Sequence, residues 1–168
     1  MSNETQSGII LACCSSESRG VPTDPRPAVT VGEFGVEGDY HAGPVRRHGS
    51  SQGLPNLRHV SVVARELYDS LGETLQVEIG PGGFAENFLV EGLGDLSELG
   101  HGDLLHLGED VVISVTEQNK PCSNLTVHHG DIVRYCVGRR GIVGTVVSTG
   151  VVRPGDTVRV ERHSAVTA

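Results

Sequence analysis

The sequence predicts a mainly β fold: a β-rich α+β chain closed into a compact barrel with a few short helices. Three observations predict it. The apolar residues fall in short runs rich in Val, Ile and Leu, separated by turn residues. The 168 residues include 23 Gly and 8 Pro but only three Phe, three Tyr and no Trp. That balance favours many short strands joined by tight turns over a helical bundle. Finally, few stretches read as helices.

The elements follow in order. Residues 8–13 form an apolar run and read as a buried strand. Residues 15–27, rich in Ser, Pro and Gly, read as a loop, and residues 28–31 as a short second strand. Residues 32–55 are Gly-rich and lack periodicity, and a stretch that long is usually functional or mobile. Residues 57–63 read as a strand of mixed alternation. Leu67 and Leu71 stand at i, i+4, which predicts a short helix over 64–71 with Gly72 as its stop. Residues 75–79 read as a strand that ends at Gly80-Pro81-Gly82-Gly83 and pairs with 84–90. Runs at 104–107 and 111–115 flank Gly108-Glu109-Asp110, the layout of a β-hairpin. Residues 123–135 read as a second helix. Residues 142–148 and 157–161 are closing strands around the turn sequence Arg153-Pro154-Gly155-Asp156. Residues 164–168 are expected to fray. The sum is eight or nine strands and two short helices.

The length fits one domain over residues 1–168, with its core at 8–161. There are 21 acidic residues against 13 basic, a formal net charge of -8. Phosphate polymers need a basic face, so nucleic acid is excluded as a partner held by overall charge. No apolar run approaches the ~18 residues of a membrane span. The polar start lacks the layout of a secretory signal, so a cytoplasmic protein is expected.

Four cysteines carry the first candidate chemistry. No two of them form a CxxC pair, which excludes a zinc ribbon or a thioredoxin-type motif. Cys13, Cys14 and Cys136 sit among apolar neighbours and read as core. Cys122 follows Asn119-Lys120-Pro121 and precedes a predicted helix. A nearby cation and a helix N-terminus both favour the thiolate. A reactive thiol and an ordinary loop thiol both remain open there. In Gly38-Asp39-Tyr40-His41-Ala42-Gly43, with Arg46, Arg47 and His48 just after, Asp39 and His41 can orient each other toward a ligand, or Asp39 can simply support a turn. Arg58, Arg139 and Arg140 border apolar segments and suit an anion pocket or structural ion pairs. The neighbouring His128 and His129 do not share a helix face, so they are not a metal pair. No GxxxxGK[ST], GxGxxG after a strand, or GxSxG is present.

Several segments match the motifs of one family in that family's order. Residues 35–43 resemble a G-x-x-G-D-x-H-A-G segment. Arg58-His59-Val60-Ser61 resembles an R-Q-V-S strand, and Phe84-Ala85-Glu86-Asn87 an F-G-E-N motif. Lys120-Pro121-Cys122 resembles [KR]-P-C, and Arg140-Gly141 and Gly155-Asp156 complete the pattern. Across residues 8–161 the chain thus resembles the MOSC family, named for the C-terminal domain of molybdenum cofactor sulfurase. The resemblance implies a strand-rich barrel and a link to the molybdenum cofactor. It implies Cys122 as metal ligand or persulfide carrier, and Arg58, Arg140 and Arg139 with Lys120 around a cofactor phosphate. Asp39, His41, Glu86 and Asn87 would line or support the pocket.

Departures are Ala85 for the usual Gly, His59 for Gln, and a longer segment at 44–56. The larger members' pyridoxal-phosphate domain, extra barrel and iron–sulfur or flavin segments have no counterpart in this sequence. Pyridoxal phosphate is therefore not expected.

Three functions follow from the resemblance. Cys122 could carry sulfur for transfer or for carbon–sulfur cleavage, with a sulfur-donor partner. It could ligate molybdenum in a reductase of N-hydroxylated compounds, with an electron-transfer partner. The chain could also be a non-catalytic carrier of the molybdenum cofactor.

Overall fold

The structure is a computed structural model that describes residues 5–163. Its strands in chain order are β1 (Gln6–Ser15), β2 (Asp24–Arg26), β3 (Val29–Gly32), β4 (Gly35–Val36), β5 (Val60–Ala64), β6 (Phe88–Glu91), β7 (Leu104–Leu107), β8 (Val111–Gln118), β9 (Ile142–Ser148), β10 (Gly150–Val152) and β11 (Thr157–Glu161). The α-helices are α1 (Arg65–Leu75) and α2 (Ile132–Cys136), with a 3-10 turn over Ser123–Val127. No helix among the described residues is long and apolar enough to cross a membrane.

The long strand β1 closes the fold. Its first half pairs with β11 and its second half with β6, so β1, β6, β5, β9, β8, β7 and β11 join into a seven-stranded barrel. Closure removes the unpaired edges that an open sheet would expose. β2 flanks β1, and β10, β3 and β4 form a small second sheet. Among the described residues only β5 and β6 pair in parallel. A parallel pair needs a long crossover, which α1 and the loop after it supply.

Alternation sets the inward face. β8 buries Val111, Ile113 and Val115, and β11 buries Val158 and Val160. Strands β1, β5 and β6 are buried on both faces, because one wall of the barrel is also covered from outside. Ile10, Cys13, Val62 and Phe88 fill the interior. Ala12, Cys14, Val63 and Leu89 point outward, under Leu67, Tyr68 and Leu71 of α1 and Ile132 and Cys136 of α2. Adjacent strand residues face opposite sides, so Cys13 and Cys14 enter different cores.

Several glycines are required by contact, Gly141 and Gly82 among them. A Cβ on Gly141 would lie 2.2 Å from the Val62 carbonyl oxygen, where β9 leaves its loop beside β5. A Cβ on Gly82 would lie 2.0 Å from the Thr23 carbonyl oxygen. Both have positive φ, which glycine adopts without penalty.

The local predictions fail in identifiable places. α1 runs through Gly72 to Leu75 and is capped by Gln76 in the left-handed region. Leu75 extends the Leu67–Leu71 stripe, and that packing outweighs the ~1 kcal/mol cost of one helical Gly. Residues 76–79 therefore form no strand, and β6 pairs instead with β1 and β5. The helix expected over 123–135 is interrupted around Gly130 and splits into the 3-10 turn and α2. The segments at 15–27 and 32–55 each contain a short strand, β2 and β4. The hairpin of β7 and β8 and the turn before β11 form as expected, the latter closed by Arg153 N–H donating to Asp156 Oδ2 at 2.9 Å. Residues 164–168 lie outside the described residues.

Ala85 has φ 60°. A Cβ in that region costs roughly 1–2 kcal/mol, partly offset by the lower unfolded-state entropy of Ala. Ala85→Gly is expected to stabilise the protein by about 0.5–1 kcal/mol. Equilibrium urea unfolding measures it, as a rise in midpoint at unchanged slope.

Candidate functional site

One cavity of about 710 Å³ opens where the segments around residues 19–20, 40–61, 84–87 and 119–124 meet Arg140. Its charged lining residues are Arg19, Arg46, Arg47, Arg58, Lys120 and Arg140, joined by His41 and His48. No Asp or Glu is among the lining residues. A protein with a net charge of -8 has thus gathered six of its 13 Lys and Arg residues into one basin.

Cys122 sits on this basin and is exposed, whereas Cys13, Cys14 and Cys136 are buried. Its backbone is extended, and it immediately precedes the 3-10 turn. The Arg140 Nη1 donates to Cys122 Sγ at 3.3 Å and to the Lys120 carbonyl at 2.8 Å. Nη2 donates to the Phe84 carbonyl at 3.3 Å. Arg140 is only 6% exposed, and its buried Nε has no partner among the described residues. The cation on the sulfur is therefore Arg140, while Lys120 contributes its carbonyl to the same guanidinium. The thiol also reaches the Asn124 carboxamide, which accepts from a thiol and, turned end for end, donates to a thiolate.

Arg58 lies half-buried beside them. It donates to the Asn119 side chain and stands 3.9 Å from Glu117. Burial first, and then the charge of Arg46, hold its pKa below the usual guanidinium value.

The other predicted residues act behind the surface. Asp39 is 6% exposed and accepts from the backbone N–H of Ser16 at 3.0 Å and of His41 at 3.1 Å. Burial pushes its carboxyl up, but these bonds and the His41 ring outweigh it and hold it below the ordinary value. Asp39 thereby shapes the loop that brings His41 to the basin. Glu86 is fully buried, accepting from Tyr68 Oη at 2.7 Å and from the backbone N–H of Gly82 and Phe84. Burial raises its pKa. It folds the 80–84 loop and does not line the cavity.

Asn87 does line the cavity. It ties β1 to β5 by donating to the Cys14 carbonyl and accepting from Ser61 N–H. Arg139 turns away, onto the Tyr135 carbonyl and Ser70 Oγ. His59 packs edge-on against Phe34, and its Nδ1 accepts from Val146 N–H at 3.2 Å. Burial lowers its pKa, as suits a neutral acceptor.

The structure thus brings Cys122, Arg140, Arg58, Lys120, Asn87 and His41 together and places Asp39 and Glu86 beneath them. Arg46, Arg47 and His48, which follow the Asp39–His41 segment in sequence, also join the site, and so does Arg19, which the sequence pattern did not single out.

The burial contrast among the cysteines is directly measurable. Burial pushes the thiols of Cys13 and Cys14 up to about 12 and also raises that of Cys136. Iodoacetamide is expected to label the native protein at Cys122 alone, and all four thiols only after unfolding. Peptide mapping by mass spectrometry checks this.

Comparison with known proteins agrees with the barrel. The MOSC domain pattern matches residues 38–159. The chain is 27% identical over 148 residues to YuaD of Bacillus subtilis (strain 168), covering 77% of each chain, and that protein's name links it provisionally to metal–sulfur cluster biosynthesis. The crystal structure of Bacillus subtilis YuaD superposes with a TM-score of 0.86 at 23% identity, over 96% of this chain and 99% of that one. YiiM from Escherichia coli superposes at 0.63 with 22% identity, over 94% and 71%. The strand order, the ordered motifs and the match over most of the chain agree, and the chain belongs to the MOSC domain family.

Proposed function

We propose that the protein handles sulfur at this basin, with Cys122 as the thiolate that takes up a sulfur atom and passes it on. The work is linked to the molybdenum cofactor or a related phosphate-bearing metal–sulfur group. One observation carries the reading: an exposed cysteine whose sulfur accepts from a buried guanidinium, in a cavity lined by cations and no carboxylate. Family membership and the name of the YuaD relative support it.

The donor set bears on what the basin could hold. Among the described residues no group of three or more His, Cys, Asp or Glu could hold a metal ion. A bare ion therefore does not fit. A preassembled group that brings its own sulfur ligands and a phosphate does fit, since it needs cations and at most one soft protein donor. Cys122 would be that donor, and Arg58, Lys120 and the unpartnered Arg140 Nε would face the anionic part. When bound, such a group would supply two-electron redox chemistry at the metal.

The protein's own chemistry is sulfur exchange. The Cys122 thiolate attacks the outer sulfur of a donor persulfide R–S–SH, the donor S–S bond breaks, and R–S⁻ leaves. The product is Cys122–S–SH. An acceptor nucleophile then attacks the outer sulfur and releases the Cys122 thiolate. Arg140 N–H faces the sulfur anion at both ends of the cycle, and Asn124 can do the same.

The test is transfer of sulfur from a small persulfide to cyanide, read as thiocyanate. Wild-type protein is expected to turn over, and Cys122→Ser to abolish it. Arg140→Gln should slow it about tenfold or more, by removing a charge-assisted donor. Full transfer by Cys122→Ser would overturn the reading. A wild-type protein that transfers no sulfur, yet carries molybdenum and pterin when made in a cofactor-competent host, would move Cys122 to the role of metal ligand.

A further inference from the structure

Cys122 opens the 3-10 turn over Ser123–Val127, and His128 closes it. Two backbone bonds run along the turn between them. The Leu125 N–H donates to the Cys122 carbonyl at 3.1 Å, and the His128 N–H to the Leu125 carbonyl at 3.0 Å. In the middle, Leu125 is fully buried and belongs to the outer cluster of Leu67, Phe84 and Ile132. One buried side chain sets the depth of a turn but leaves it free to rock about that point. The contacts at its two ends then decide where the sulfur stands.

At the first end that contact is Arg140 on Cys122 Sγ. At the other it is His128. Its Nε2 meets the Gly83 carbonyl, and its ring lies tilted against that of Phe84, 5.8 Å between centroids. A carbonyl only accepts, so Nε2 carries the proton, in the neutral ring as in the imidazolium. The Gly83 carbonyl is itself held in place. Buried Glu86 accepts from the amides of Gly82 and Phe84 on either side of Gly83, and the Gly83 N–H donates to the Gly80 carbonyl at 2.9 Å.

These contacts close a ring. From Cys122 Sγ they pass to the Arg140 guanidinium, on to the Phe84 carbonyl, and back one residue to the Gly83 carbonyl. From there they reach the His128 ring and return along the turn to Cys122. His129 stands outside the ring: its Nδ1 accepts from the Asp131 N–H, two residues on.

We propose that His128 is a positioning residue for Cys122, holding the far end of the turn on the Gly83 carbonyl so that the sulfur stays on the Arg140 guanidinium. His128 does not line the cavity and acts only through the two loops. The inference rests on Cys122 being the reactive thiol of the proposed function, but not on which reaction it performs.

The rate at which iodoacetamide alkylates Cys122 in the native full chain at neutral pH tests it, because the thiolate reacts and the thiol does not. His128→Ala is expected to slow the rate about fivefold, the worth of one net hydrogen bond. His128→Phe keeps a ring against Phe84 but cannot donate, and should be as slow. His128→Gln, whose amide can donate to the same carbonyl, should restore most of the rate. His129→Ala should match wild type. Arg140→Gln is itself slower, and in that background His128→Ala should add nothing, since the contact it protects is already gone. A general loosening of the fold would slow both backgrounds alike. Rates in His128→Ala and His128→Phe at or above wild type, or an equal loss in both backgrounds, would overturn the proposal. So would a loss confined to His128→Ala, which would make the ring packing the whole effect. The expected pattern in a protein that transfers no sulfur to cyanide would uphold the positioning role while sinking the sulfur reading.

Discussion

Burying a guanidinium removes it from water, and only well-placed acceptors offset that loss. At Arg140 the acceptors are the carbonyls of Lys120 and Phe84 and the sulfur of Cys122. These belong to separate loops, one entering the 3-10 turn and the other folded around Glu86. Arg140 itself is held where β9 emerges, next to Gly141, whose lack of a side chain lets the chain pass against the Val62 carbonyl. The position of the reactive sulfur therefore depends on one cation anchored to the barrel. Glu86 plays a parallel part: a buried carboxyl satisfied by Tyr68 and by the amides of Gly82 and Phe84. Each buried ionisable group turns a loop into a fixed wall of the site.

The basin also reconciles an acidic chain with an anionic ligand. Net charge describes the far field, which salt screens within about 10 Å. A concave site lined by one sign of charge focuses its own local field. With no carboxylate among the lining residues, the cations of the basin are not neutralised from within it. The exclusion of nucleic acid drawn from the net charge concerns a polymer needing an extended basic face. A small phosphate ester needs only this pocket.

Much of this was legible in the sequence. Strands β7, β8 and β11 follow directly from alternation and turn residues, because each has one more buried and one more solvated face, whereas β9 reads only from its run of Ile and Val. Strands β5 and β6, buried on both sides, show no alternation, and their parallel pairing across α1 depends on a long-range contact that no local window contains. The helical stop at Gly72 failed for a similar reason, since Leu75 packs against the outer core.

At the site, Cys122 stood out because it alone among the cysteines lacks apolar neighbours. Arg139 and Arg140 are adjacent in sequence and look equivalent. Backbone geometry sends one to Ser70 and the other to Cys122, which residue type cannot reveal. Arg19 and Arg46 lie far from the cysteine in sequence and enter the basin only through the fold. Asp39 and Glu86 were singled out as pocket residues, and their contribution is to hold backbone amides behind it.

The central claim is that the Cys122 sulfur is the chemical centre of the basin. The most direct measurement is the intact mass of the native protein after exposure to a sulfane-sulfur donor, followed by peptide mapping. The account predicts a gain of one sulfur atom, located on Cys122 and removed by a thiol reductant. No gain, or a gain located on Cys13, Cys14 or Cys136, would contradict it.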